Sequence, residues 1–210
     1  MPEGGGITSL REAARGCLGC ELAGPATQTV FSTGPVTARL ALVGEQPGDQ
    51  EDRAGAPFVG PAGRLLDRAL AEVGIDRSDC YVTNAVKHFR FSQDGPRARR
   101  IHQTPEAWHV QACRPWLSAE LRVLDPVLVV ALGATAARAL LGPAARVRRD
   151  RGRLLARPAL AADPAGRTDG WLLVTVHPSS VLRAQDQAGE YAALVEDLRV
   201  AAALLSEQAG

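Results

Sequence analysis

Four short apolar runs constrain this chain more than anything else in it: Ala38 to Val43, Cys80 to Val86, Val127 to Leu132 and Trp171 to Val176. Runs of this length, bounded by turn residues, read as buried strands. Helical patterns separate them. Pro61 to Val73 places Leu65, Leu66, Ala69, Leu70 and Val73 on one face, and Thr104-Pro105-Glu106 is a start signal for a helix running to about Leu124. Thr135 to Leu141 stops at Gly142-Pro143, and Glu190 to Leu205 forms a closing helix. Strands alternating with helices imply a three-layer α/β/α sandwich around a central, mostly parallel four-stranded sheet.

A chain of 210 residues with 46% hydrophobic content can bury one sizeable core. One domain over residues 1–210 is therefore expected, with the amino-terminal segment 11–30 included. No apolar run approaches the ~20 residues needed to cross a bilayer. The start Met1-Pro2-Glu3-Gly4-Gly5-Gly6 lacks a basic-then-apolar signal pattern, so a cytoplasmic protein is expected, and separately a monomer.

Open parallel sheets bind ligands beyond the carboxyl ends of their strands. Four polar segments fall at that edge. Gly44 to Asp49 follows the first run, Asn84 to His88 closes the second, Gly133-Ala134-Thr135 follows the third, and His177-Pro178-Ser179-Ser180 follows the fourth. A carboxylate, an amide and an imidazole thus converge on one predicted pocket.

The formal net charge of +1 does not mark a polyanion-binding protein, so contact with nucleic acid must come from local clusters. Arg97, Arg99 and Arg100 form one cluster; Arg146, Arg148, Arg149, Arg151 and Arg153 form another, which reads as a solvated face. Lys87 is the only lysine. Four cysteines in a reducing compartment point away from disulfides and toward metal or cluster ligation. Cys17-x-x-Cys20 has a spacing that lets two thiolates grip one centre, and Cys113, Cys80 and the histidines are the further candidates. Cys80 sits within a strand pattern and reads as a small buried hydrophobe.

Several motifs occur in order along the chain: Gly44-Glu45-Gln46-Pro47-Gly48 with Glu51-Asp52, Pro57-Phe58-Val59-Gly60-Pro61-Ala62-Gly63, Val82 to Lys87, Ala112-Cys113-Arg114-Pro115 and His177-Pro178-Ser179-Ser180. Together they resemble the iron-sulfur family-four uracil-DNA glycosylases from Cys17 to about Arg199. Gln46 and Arg99-Arg100-Ile101-His102 look like the UdgX branch, whose members trap uracil-containing DNA covalently.

The resemblance implies a [4Fe-4S] cluster on Cys17, Cys20, His88 and Cys113. Ordinary family-four enzymes carry Cys at the third position, so His88 is a departure that the UdgX branch shares; Cys80 is its rival. The resemblance also implies that Phe58 stacks on an extruded base and that Asn84 reads uracil through one donor and one acceptor. His177 would bond the 2-keto oxygen, where charge collects as the base leaves. Ser179 and Arg183 would meet the DNA backbone, with Arg100 and Gln46 also on uracil or DNA. Asp49 and Asp52 would position water or support their loop.

On residues alone, His102 is a loop histidine. The resemblance makes it the nucleophile on C1' of the sugar, with Glu45 accepting its other ring N–H. The expected function is therefore covalent capture of deoxyuridine in single-stranded DNA with release of uracil. A multiple-turnover uracil-DNA glycosylase is the alternative within the same chemistry, and a non-catalytic iron-sulfur DNA-binding module is the alternative from another class. Uracil-containing DNA is the expected partner, in the cytoplasm at the nucleoid.

Overall fold

The computed structural model describes residues 5–95, 98–158 and 170–208. Met1 to Gly4 and Arg97 of the first arginine cluster lie outside the described residues. The described helices are α1 (Ile7–Ala14), α2 (Asp49–Ala54), α3 (Pro61–Glu72), α4 (Ala107–Leu124), α5 (Ala134–Leu141), α6 (Val147–Asp150), α7 (Pro178–Val181) and α8 (Gln187–Glu207). The described strands are β1 (Ser32–Thr33), β2 (Leu40–Gly44), β3 (Cys80–Asn84), β4 (Phe91–Ser92), β5 (Ile101–His102), β6 (Leu128–Leu132), β7 (Leu154–Ala156) and β8 (Trp171–Thr175).

The expected α/β/α layering holds, but the central sheet has six strands, in the order β1-β3-β2-β6-β8-β7, where four were expected. The four apolar runs form the parallel centre, and antiparallel edges flank them. Neither edge carries a pattern readable in isolation. β1 is two polar residues, and β7 is a three-residue piece between Arg153 and Arg157. Pairing with an existing neighbour makes them strands, not their own composition.

Each central strand divides its side chains between two cores, as period-two geometry requires. Ala41, Val43, Val129, Ala131, Leu172 and Val174 face the layer containing α1, α4 and α5. Leu40, Leu42, Leu128, Val130, Leu132 and Leu173 face α3 and α8. Each large apolar side chain fully buried in this way contributes about 1.5–3 kcal/mol. Burial on both faces explains why the strands read as continuous apolar runs.

β4 and β5 form a separate two-stranded hairpin, pairing Phe91 with His102 and Ser92 with Ile101. In the second arginine cluster, Arg146 and Arg149 bond carbonyls of their own turn, while Arg151 pairs with Asp197. Among the described residues no helix is long and apolar enough to cross a membrane.

Candidate active site

The four parallel strands end on one edge, and a pocket of about 160 Å³ opens beside it, lined by Asn84, Phe58, His102, His177 and Arg183 among others. Asn84 closes β3 opposite Gly44, the last residue of β2. Its side chain is 1% exposed, and its amide oxygen is buried without a hydrogen-bond partner. An orphaned buried acceptor costs about 1–3 kcal/mol, so the pocket carries an unmet demand for a donor.

Gly44 leaves room for that amide. A Cβ there would stand 2.3 Å from Asn84 Oδ1 and 2.6 Å from Phe58 Cζ. Phe58 is buried in a left-handed backbone conformation (φ 57°), and its ring lies 5.7 Å from that of His177. The loop passes close to α3 at Gly63, where a Cβ would fall 1.7 Å from the Phe58 carbonyl oxygen.

His177 precedes α7, and its Nδ1 accepts the Ser179 backbone N–H at 3.1 Å, with Ser179 Oγ at 2.8 Å. The ring proton therefore resides on Nε2. Burial, with the charges of Arg183 and His102 adding to it, lowers the His177 pKa to about 4. The group at this wall is a neutral N–H donor. Arg183 is exposed at the mouth of the pocket.

His102 stands on β5, half-exposed, with Nε2 3.4 Å from Glu45 Oε1. The other oxygen of Glu45 accepts a hydrogen bond from the Thr135 hydroxyl at the start of α5, which fixes the carboxylate. Burial lowers the His102 pKa against the opposing pull of Glu45, and Arg183 lowers it further. In the neutral ring, a proton on Nε2 facing this carboxylate would leave the lone pair on Nδ1.

The other predicted contacts turn inward. Gln46 lines the pocket, but its amide is engaged: Nε2 donates to the carbonyls of Arg90 (3.2 Å) and Gln103 (3.0 Å), and Oε1 accepts the Arg90 N–H at 3.0 Å. Arg100, expected on DNA, pairs with Asp49 and with the fully buried Asp52, and its guanidinium lies 4.9 Å from the centre of the Phe91 ring. Asp52 also accepts the Thr27 N–H at 3.1 Å. Asp49 and Asp52 thus support loops and do not line the pocket. Gln46 and Arg100 together latch the His102 hairpin to the segment after β2.

Three of the expected cluster ligands, Cys17, Cys20 and Cys113, lie near one another. Cys20 and Cys113 share a small apolar cluster with Leu22 and Val86. N–H groups approach the sulfurs: Trp116 Nε1 donates to Cys17 at 3.3 Å, the Lys87 backbone to Cys113, and the Leu22 and Ala23 backbones to Cys20. Burial nevertheless holds the Cys113 thiol up, at about 11. His88 Nε2 lies 2.9 Å from the Thr29 hydroxyl, whose own proton goes to Ala14 O. Nε2 therefore donates, which leaves Nδ1 a buried lone pair without a partner. Three thiols with N–H donors and a free imidazole nitrogen suit a cluster in donor chemistry. Among the described residues, no three His, Cys, Asp or Glu side chains close to metal-holding geometry. Cys80 lies across the sheet from Cys17, facing the α3 and α8 layer, with its thiol 3.3 Å from Asp76 O and raised to about 12 by burial.

Sequence reading missed four supports. His109 is 1% exposed; its Nδ1 accepts the Glu106 N–H and its Nε2 meets Glu21 Oε1 at 2.7 Å. That bond to Glu106 caps α4, which begins at Ala107 and not at Thr104. Thr135 was readable only as a carboxyl-edge residue. Glu51 bridges the N–H groups of Gly48 and Gly60 at 3.1 and 2.8 Å, a role its three-residue spacing from Gly48 hints at. Lys87 is buried against Glu120 and donates to the Asn84 carbonyl at 3.0 Å.

The uracil DNA glycosylase superfamily profile matches residues 31–199. The type-4 uracil-DNA glycosylase of Pyrobaculum aerophilum is 33% identical over 88% of this chain and 89% of its own length. That of Thermotoga maritima is 39% identical over 60% of this chain and 62% of its own, and that of Archaeoglobus fulgidus 38% identical over 58% and 57%. A match running from β1 into α8, with similarity along nearly the whole length of one relative, shows that the chain belongs to the uracil DNA glycosylase superfamily.

Proposed function

We propose that this chain takes deoxyuridine from single-stranded DNA, breaks the bond between uracil and sugar, and becomes joined to the sugar through His102, as the UdgX branch would. The observation that carries this reading is a single pocket holding both a base-reading amide and a carboxylate-oriented neutral imidazole.

The extruded uracil stacks on Phe58. Asn84 Oδ1 accepts the uracil N3–H and its amide N–H donates to the 4-keto oxygen. Cytosine, with an acceptor at N3 and an amino group at position 4, would present the wrong polarity at both positions. As the C1'–N1 electron pair leaves with the base, the His177 Nε2–H bonds the 2-keto oxygen and stabilises the charge. The His102 Nδ1 lone pair forms the new bond to C1', and the Nε2 proton passes to Glu45. The product is a neutral N-glycoside with a poor leaving group, so the adduct persists. Thr135 holds Glu45 in place, Gln46 and Arg100 hold the hairpin, and Ser179 and Arg183 meet the DNA backbone.

Cys17, Cys20, His88 and Cys113 would hold a [4Fe-4S] cluster, which would tie the amino-terminal segment, the loop after β3 and α4 together. The unpartnered Nδ1 of His88 and the N–H donors on the sulfurs support that assignment over one using Cys80. The whole chain acts as one domain and as a monomer, at the nucleoid where its substrate lies.

Uracil-containing and uracil-free oligonucleotides on a denaturing gel test this reading. A heat-stable shifted band with uracil-containing DNA is expected. An alkali-labile product without a shift would mean conventional turnover, and neither would mean binding alone.

A further inference from the structure

Behind the wall that carries Glu45 lies a second cleft, of about 200 Å³, between the start of α4 and the end of α5. Its sides are apolar, with Pro105, Val110 and Pro143 among them, while Arg114 and Arg138 stand at its margins. Both arginines are exposed, and among the described residues neither has a hydrogen bond or ion pair. Among the described residues no carboxylate lines the cleft. Arg100, Arg151 and Arg157 pair with carboxylates, whereas these two do not. Two left unmatched beside an apolar slot mark a place for an anion that brings an apolar face with it.

Thr135 ties this cleft to the reacting centre. It lines the cleft, and its hydroxyl donates to the Glu45 carboxylate that faces His102. Thr135, Glu45 and His102 thus form a chain of contacts from the cleft to the proposed sugar position, so the cleft and the pocket are neighbours. We infer that the cleft binds a nucleotide of the same single strand next to the deoxyuridine, its base against Pro105, Val110 and Pro143 and its phosphates on Arg114 and Arg138. The inference rests on the proposed function and deepens it. A base lodged in the cleft cannot be paired, so the cleft gives a physical origin for single-strand preference.

Binding of a uracil-free single strand, followed by fluorescence anisotropy across a salt series, tests the cleft without relying on the chemistry. With the Arg114→Ala, Arg138→Ala double variant, the slope of log affinity against log salt should fall by about 1.4, from about 0.7 per phosphate contact on single strands over two contacts. Gln111→Glu, which adds a carboxylate to an exposed lining position, should weaken the same strand severalfold while leaving the fold intact. Uracil release at saturating DNA should match the parent protein in both variants, as should binding to a duplex. An unchanged salt slope, or an equal loss on duplex and single strand, would overturn the cleft assignment. If the parent protein neither releases uracil nor forms an adduct, the functional reading fails separately, because the anisotropy readout is independent of it.

Discussion

The floor of the candidate pocket and the hairpin that overhangs it are held by different forces. Asn84 stands on a central strand paired on both sides within the sheet, with Lys87 and Glu120 buried beneath it as an ion pair. His102 stands on a strand of two residues, half-exposed, held by the Gln46 amide and the Arg100 guanidinium. The floor inherits its geometry from apolar burial over the whole sheet, whereas the hairpin depends on a few directional contacts. On the proposed function, base recognition would reside in the part that resists deformation, and the choice between capture and turnover in the part that a few substitutions can alter.

The sharpest way to break this contrast is His102→Gly. Capture should be lost completely, while the floor continues to bind and polarise uracil, so water takes the vacated place and free uracil appears with an abasic product. Mass spectrometry of the digested parent adduct should find deoxyribose on the peptide containing His102; a cross-link that survives in His102→Gly would refute the assignment.

The next largest effect belongs to the floor. Lys87→Met leaves the fully buried Glu120 carboxyl without its cation, and denaturant unfolding should show a loss of about 3–5 kcal/mol. Stability within ~1 kcal/mol of the parent would mean that the floor is not secured in this way.

Asn84→Ala should leave the fold intact, because the amide oxygen has no partner within the protein to lose. Its cost falls on the substrate, about 1–3 kcal/mol, or roughly a 5- to 150-fold loss in single-turnover rate on uracil-containing DNA. An unchanged rate would remove Asn84 from base reading.

The smallest effect is that of pH. Burial places the His102 pKa below the usual 6.5, so the attacking neutral ring persists as pH falls to that value, and the capture rate should decline only below it. An inflection at or above 6.5 in the single-turnover profile would contradict the geometry. His177, with a pKa of about 4, is likewise neutral when folded and takes up a proton more readily when unfolded. Its contribution to stability is complete above about 6.5 and is lost as pH falls toward 4. The melting-temperature difference between the parent and His177→Ala should shrink across that window.

Much of this is legible in the residues themselves. The four central strands, the two-sided layering and the convergence of Glu45, Asn84 and His177 on one edge follow from apolar runs and the geometry of parallel sheets, because burial on both faces leaves its mark in local composition. The edge strands β1 and β7 left no such mark, since an edge needs only a partner and not an apolar face of its own. The inward turn of Arg100, the engaged amide of Gln46 and the cap that His109 makes for α4 could not be read from spacing, because each joins segments distant in sequence. Arg100 meets Asp52 across 48 residues, and His109 meets Glu21 across 88. The sequence by itself determined which residues stand at the sheet edge. Tertiary structure alone decided which of them face the substrate and which are used to hold the others, because a polar side chain takes the best partner within reach, and reach is set by the fold.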